Sequence, residues 1–197
     1  MKTRIDFVTN SSSSSFIALK KGDYQEGEKT FKEDIAKYLS SNDWNGLKLI
    51  DEACKEFGWS PILYNAPADK LNFVLLQVAC AKDDLSFYGD EDKEEVEQSI
   101  ENYKNMVESV LEEAGIEKID WDDINREIIE GDAYIDHQSK ITDNSLIKEL
   151  LFSSEENLRR FLFNTESCVI TGNDNCEPED AHGRLEKPYF KNPEFDT

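Results

Sequence analysis

The spacing of apolar residues predicts that most of the chain is helical. Between Val96 and Ala114, apolar side chains recur every three or four residues, glutamates occupy the other faces, and Gly115 follows. This pattern is typical of a long amphipathic helix, and a glycine is well suited to end it. Shorter stretches with the same spacing predict helices at 30–39, 47–57, 121–129, 146–151 and 153–162.

Two of these helices begin with the residue types of a capping box. Thr30 is followed three residues later by Glu33, and Ser153 is followed by Glu156. In a capping box the hydroxyl accepts a hydrogen bond from the backbone N–H three residues on, and the acidic side chain bonds back to the first residue. We therefore expect helices to begin at Thr30 and at Ser153.

The segment 61–80 fits two interpretations. Apolar residues at every second position of 71–75 are typical of a strand, but the segment 71–79 also fits one face of a helix. We favour the helix. The apolar run 73–80, interrupted only by Gln77, predicts part of the hydrophobic core.

Short segments rich in strand-forming residues lie mainly towards the two ends of the chain. Two of them, 4–8 and 16–19, flank a polar loop that contains the serines at 11–15. Others lie at 133–136 and 167–171, and the glycine and asparagines at 172–175 predict a turn after the last one.

These strands are too short to be stable alone, because about three strands with an apolar face are needed. We expect the segments 5–8, 16–19, 134–136 and 168–171 to form one small, mainly antiparallel sheet under the helices. The predicted fold class is α+β. A chain of 197 residues suits one compact domain, which we place at 1–172, followed by an acidic, extended tail at 173–197.

The chain is strongly acidic, with a formal net charge of −21 at pH 7. Residues 83–132 contain 19 acidic residues against four basic ones, a local net charge of −15. Such a surface repels phosphate groups, so direct binding to nucleic acid or to an anionic membrane is disfavoured, whereas a basic protein partner is favoured. The alternative is that the charge serves solubility alone.

The long acidic helix and the residues after it provide the preferred candidate binding site. A row of carboxylates can dock a basic protein surface or imitate the charge spacing of nucleic acid. The alternative is an outer face that contacts only water. The candidate binding residues are Glu97, Glu101, Glu108, Glu112, Asp122 and Asp123.

The N-terminal segment 4–17 reads RIDFVTNSSSSSFI. It resembles the N-terminal signature of a set of uncharacterised proteins from Gram-positive gut bacteria and their phages. The resemblance implies a bacterial or phage source and no particular activity. The residues that carry the signature are Phe7, Asn10, Ser11, Ser12, Ser13, Ser14, Ser15 and Phe16. Near Lys2, Arg4, Lys20 and Lys21, the serine run is also a candidate anion site, the alternatives being a solvated loop or a recognition tag.

Export and membrane insertion are not predicted. The basic N-terminus is followed by Asp6 and the serines, where a secretory signal needs an apolar stretch of about 7–15 residues. No segment approaches the roughly 20 apolar residues of a membrane span. We therefore expect a cytoplasmic protein with reduced cysteines.

A zinc site is one alternative that the cysteines raise. Cys168, Cys176 and His182 are residue types that bind zinc, but their spacing fits no common zinc finger. Cys168 is expected to pack inward from a strand. We therefore predict that the cysteines are free of metal and that no cofactor is bound.

A second group of possible ligands is Asp132, Asp136 and His137, which could hold a divalent ion for hydrolysis. In so acidic a chain, such a group is also expected by chance. The preferred hypothesis is a non-catalytic interaction module, because it needs only the observed charge distribution. The alternative is a small metal-dependent hydrolase.

Overall fold

The structure is a computed structural model that describes residues 13–19, 24–39, 56–57, 63–116, 119–129, 133–135, 140–142 and 145–173. Its helices are α1 (Gln25–Leu39), α2 (Pro67–Asp83), α3 (Asp90–Glu113), α4 (Trp121–Ile129), α5 (Ser145–Phe152) and α6 (Glu155–Phe163). A short 3₁₀ helix, Asp84–Phe87, connects α2 to α3. The strands are β1 (Ser13–Ala18), β2 (Glu56–Phe57), β3 (Leu63–Tyr64), β4 (Tyr134–Ile135) and β5 (Cys168–Asn173). Helices dominate over a few short strands, which confirms the α+β prediction.

The first and last described strands meet in a three-stranded sheet with the order β1-β5-β3. β1 runs antiparallel to β5, with Phe16 opposite Ile170. β3 pairs with the other edge of β5 and is also antiparallel. The prediction that segments 16–19 and 168–171 share an antiparallel sheet is confirmed, whereas the predicted strand 5–8 lies outside the described residues.

The strand at Tyr134 does not join that sheet. β4 pairs in parallel with β2, with Phe57 opposite Ile135, and the two strands form a second small sheet. The expectation of a single sheet is therefore wrong for β4. The helix expected at 47–57 is wrong at positions 56–57, which form the strand β2. A strand of two residues has too few positions to show the alternation that identifies strands in a sequence.

Helix α2 lies at the centre of the hydrophobic core. Every residue at positions 70–81 is buried, and the helix contacts α1, α3, α4 and α6. Because this helix is buried on all sides, apolar residues occur on all of its faces. Some of them therefore also fall at every second position, which is the period of a strand. The prediction of a helix here is confirmed, as is the prediction that the run 73–80 belongs to the core.

Both predicted capping boxes are wrong. Helix α1 begins before Thr30, whose hydroxyl donates to the backbone oxygen of Glu26 at 3.3 Å. Helix α6 is capped by Ser154 instead of Ser153, and the Ser154 hydroxyl oxygen accepts the Asn157 backbone N–H at 3.2 Å. Two adjacent serines offer two caps, and the sequence pattern selects the wrong one.

Two further boundaries concern glycines. Gly115 follows α3 with a φ of 86°, the left-handed conformation that was predicted to end this helix. In contrast, Gly172 and Asn173 belong to β5, where they pair with Ser14 and Ser13, so the predicted turn does not begin at Gly172. The pairing with β1 provides backbone hydrogen bonds that extend the strand.

Helices α1 and α6 approach closely at Gly27. A Cβ atom built on this residue would overlap the backbone carbonyl oxygen of Phe163. One turn later, the rings of Phe31 and Phe163 meet edge to face, with centroids 5.0 Å apart. The absence of a side chain at Gly27 is what lets the two helices pack at this distance.

Candidate functional site

The candidate binding glutamates lie on α3, a helix with one buried side. Tyr103, Val107 and Val110 on this side are buried, and the ring of Tyr103 packs 4.7 Å from that of Phe152. Glu97, Glu101, Glu108 and Glu112 are all exposed. Since a helix turns by about 100° per residue, these four positions lie within roughly 60° of one another around its axis. We call these four residues the acidic face.

Local contacts differ among the members of the acidic face. Glu108 accepts a hydrogen bond from the indole N–H of Trp121 at 2.7 Å, which ties the face to α4. Glu101 forms a loose ion pair with Lys104, with 3.9 Å between the Lys104 Nζ and the Glu101 carboxylate. Among the described residues, Glu97 and Glu112 have no cationic partner. The negative charge at both ends of the face is therefore not neutralised by described side chains.

The two candidate aspartates of α4 have different surroundings. Asp120 caps this helix, because its carboxylate accepts the backbone N–H groups of Asp122 and Asp123 at 3.2 Å and 3.1 Å. The side chain of Asp122 is 90% exposed, and its carboxylate lies 3.4 Å from the Nζ of Lys82. The side chain of Asp123 is only 14% exposed and pairs with Arg126. Asp122 thus adds exposed charge, whereas Asp123 is largely neutralised.

The candidate metal ligands fall mostly outside the described residues. This holds for Asp132, Asp136 and His137, and also for Cys176 and His182. Cys168 is described and 1% exposed, which confirms the prediction that it packs inward from a strand. Within the described ranges, no three His, Cys, Asp or Glu side chains are grouped so as to hold a metal ion.

The serine run is only partly described. Phe7, Asn10, Ser11 and Ser12 lie outside the described residues, whereas the positions 13–16 belong to β1. The backbone of this part is extended and pairs with β5, with Ser15 opposite Thr171. An anion-binding loop was one hypothesis for the run, and the positions 13–15 do not have that conformation.

A buried lysine in the first turns of α2 was not predicted from the sequence. Lys70 is 1% exposed, and its Nζ donates to the backbone oxygen of Asn164 at 2.9 Å. Asn164 is the C-terminal cap of α6, so the ammonium also faces the negative end of that helix. Burial lowers the pKa of Lys70 to about 8, although nearby Cys168 acts in the opposite direction. The sequence signal was a lysine placed directly before the mainly apolar run 71–81.

A pocket that was not predicted from the sequence lies on the flank of α3 that faces away from the acidic face. It has a volume of about 320 Å³ and is lined by residues of α2, by Tyr88 and residues of α3, which follows it, by a residue of α5, and by the segment 140–142. Its carboxylates are Asp92 and Glu95, and its aromatic walls are Tyr88 and Tyr103. Four separate segments form it, so no local sequence pattern reveals it.

Comparison with known proteins identifies no family for this chain. No protein-family model, no curated protein and no solved structure matches the chain. Among the described helices, none is long and apolar enough to cross a membrane.

Proposed function

We propose that the protein is a non-catalytic interaction module that binds a basic protein surface through the acidic face. The observation that carries this proposal is the alignment of four exposed carboxylates on one strip of α3. From Glu97 to Glu112 the strip extends about 22 Å, at a rise of about 1.5 Å per residue. A basic surface of similar length can pair with it through complementary charge.

The rigidity of the strip supports the same proposal. On its buried side, α3 packs against the core through Val107, Val110 and Leu111, all without solvent exposure. The backbone of a packed helix loses little conformational freedom on binding, so the cost of ordering is confined to the glutamate side chains. The field of residues 83–132, with a local net charge of −15, extends the attraction to a Debye length of about 8–10 Å.

The experiment compares two variants, one that removes four charges from the acidic face and one that removes four charges elsewhere. One variant carries glutamine at Glu97, Glu101, Glu108 and Glu112. The control carries glutamine at four exposed glutamates outside α3, namely Glu26, Glu33, Glu149 and Glu166. Both variants lose four negative charges, so any difference between them reports position and not net charge.

We expect the acidic-face variant to lose partners that the parent retains from a bacterial lysate at low salt, while the control keeps them. The association rate should fall most, since exposed charges mainly steer the encounter. If the two variants retain the same partners with the same salt dependence, the proposal is wrong.

The same preparation tests the alternative of a metal-dependent hydrolase. Its proposed ligands Asp132, Asp136 and His137 lie outside the described residues, so this alternative remains a prediction from the sequence. A phosphoesterase screen with Mg²⁺ or Mn²⁺ addresses it directly. Turnover that is abolished by Asp136→Asn and unaffected by the acidic-face variant would favour the hydrolase.

A further inference from the structure

The pocket beside α3 has firm walls. Tyr103, Ile100, Ala81 and Ile141 line it and are each buried. The Ile141 backbone N–H donates to the Gln77 side-chain oxygen at 2.9 Å, and Gln77 is fully buried in α2. A backbone bonded to a buried side chain of the central helix is held in place.

The carboxylate of Asp84 fixes the same wall at two more points. It accepts a hydrogen bond from the Lys140 Nζ at 2.8 Å and one from the Thr142 hydroxyl at 3.0 Å. Lys140 and Asp84 are both less than one-fifth exposed, so the pair is shielded from water. With Gln77, these bonds hold the segment 140–142 against the end of α2 and give the pocket a preformed shape.

The chemistry of the lining is that of a site for organic cations. Tyr88 and Tyr103 provide aromatic walls, and Asp92 and Glu95 provide carboxylates at an exposed edge. Neither carboxylate forms an ion pair with any described residue. Aromatic rings attract cations through the negative potential of their faces, and adjacent carboxylates supply the counter-charge.

One ammonium group of the chain already lies over an aromatic ring of this pocket. The Nζ of Lys148, on α5, lies over the ring of Tyr103 at 6.0 Å from its centroid. Lys148 is itself exposed, and no ion pair with a described residue holds it there. The chain's own side chain thus marks where an ammonium group can lie.

We infer that this pocket binds an alkylammonium or guanidinium group, with Asp92 and Glu95 as counter-ions and Tyr88 and Tyr103 as walls. Its volume of about 320 Å³ suits one such group and its alkyl stem. Pockets for small ligands begin at roughly 300 Å³. Lys148 acts as an internal competitor that the ligand displaces from Tyr103. This site is independent of the acidic face, which lies on the other side of α3.

The test is a calorimetric or NMR titration of the full chain with three blocked amino acids. The cationic probes are the Nα-acetyl amides of lysine and arginine, and the neutral control is the corresponding amide of norleucine. We expect the cations to bind and norleucine to bind at least about tenfold more weakly. Equal affinity for norleucine and lysine would overturn the inference.

Three variants define the site. Asp92→Asn with Glu95→Gln should weaken cation binding by about tenfold or more, because both counter-ions are removed. Lys148→Met should instead strengthen it by a few-fold, because a competing cation is removed. Glu26→Gln with Glu33→Gln, at two exposed glutamates of α1, is the matched control and should leave the affinity unchanged.

The Lys148→Met variant is the most direct way to contradict the inference. If the pocket binds through its lysine, as a site for an anion does, this change abolishes binding, and the inference is wrong. Loss of cation binding in the control variant would equally overturn it. Thermal unfolding of each variant checks that these surface changes leave the fold intact.

A final comparison identifies the source of the cation. Butylamine represents a free amine, and a blocked pentapeptide with a central lysine between alanines represents a protein side chain. Tighter binding of the peptide assigns the pocket to a partner's side chain, and equal binding assigns it to a small free amine. Binding of neither would contradict the inference.

Discussion

Helices α2 and α3 are the two longest described helices, and they differ in how much of their surface is buried. α2 is buried on all sides and contacts most of the other helices, whereas α3 buries one side and exposes a row of glutamates. The difference shows that helical structure alone says little about role. The distribution of apolar residues around the axis decides whether a helix supports the core or presents chemistry to solvent.

The largest expected effect is the loss of a core ring from α2. Phe73 is fully buried and packs against Phe57 and Phe161, with centroid distances of 5.0 Å and 6.3 Å. Phe73→Ala should lower the free energy of unfolding by about 3–5 kcal/mol, because it leaves a cavity among these rings. Urea denaturation followed by circular dichroism measures the change. A loss below about 1 kcal/mol would contradict the central role of α2.

The second prediction uses the buried lysine of α2. The folded pKa of Lys70 is about 8, against 10.5 for the free side chain, so between pH 8 and 9 the unfolded state binds more protons than the folded state. Stability therefore rises with pH in this window, by about 1 kcal/mol for this group alone. Burial raises the pKa of the Cys80 thiol from 9.0 to about 12, so above pH 9 thiol ionisation favours unfolding and opposes the gain.

Lys70→Met isolates the contribution of Lys70 to the pH dependence of stability, because it removes the titrating group and keeps a side chain of similar length. Urea denaturation at several pH values between 7.5 and 9 should show that the difference between parent and variant changes by about 1 kcal/mol. Lys93→Met on the exposed side of α3 is the control and should show no such change. Parallel pH profiles for the parent and Lys70→Met would refute the burial argument.

A smaller effect is expected at the end of α3. Gly115 has a φ of 86°, which residues with a side chain adopt at a cost of about 1–2 kcal/mol. No atom lies within 4 Å of a Cβ built at this position, so backbone strain is the only penalty for Gly115→Ala. Thermal unfolding should show a modest fall in the midpoint. Gly27→Ala should cost more, because there the new Cβ meets the Phe163 carbonyl.

The smallest effect on stability is expected at the acidic face. Glu101 is exposed and forms only a loose pair with Lys104, so Glu101→Gln should change the free energy of unfolding by less than about 0.5 kcal/mol. The matched comparison with Phe73→Ala measures the contrast between the two helices directly. A destabilisation above about 1 kcal/mol would show that this face contributes to the fold.

Sequence pattern predicted the parts of the fold in which many residues repeat one signal. The helix at 121–129 and the long helix that ends at Gly115 were both predicted, because each has a regular apolar side. The pairing of β4 with β2 was not predicted, since two-residue strands carry no period. The choice between Ser153 and Ser154 as helix cap was wrong because adjacent residues offered the same chemistry.

The same distinction applies to the candidate sites: a site on one helix could be predicted from the sequence, and a site formed by tertiary packing could not. The acidic face could be predicted from the sequence because its residues lie on one helix, at positions whose exposure follows from the helical period. The pocket could not, since Asp92, Lys148 and Thr142 come together only through tertiary packing. Lys70 was missed for a related reason, because its partner is a backbone oxygen 94 residues away.

The pairing of β1 with β5 has a consequence for synthesis. Ser13 lies opposite Asn173, so the two strands leave the ribosome some 160 residues apart. At about 5–20 residues per second, the first strand waits roughly ten to thirty seconds for its partner. Throughout that interval its Phe16 and Ile17 lack the strand that they face in the finished sheet. Helices α1 to α6 can form meanwhile, so we expect the β1–β5 pairing to form after them.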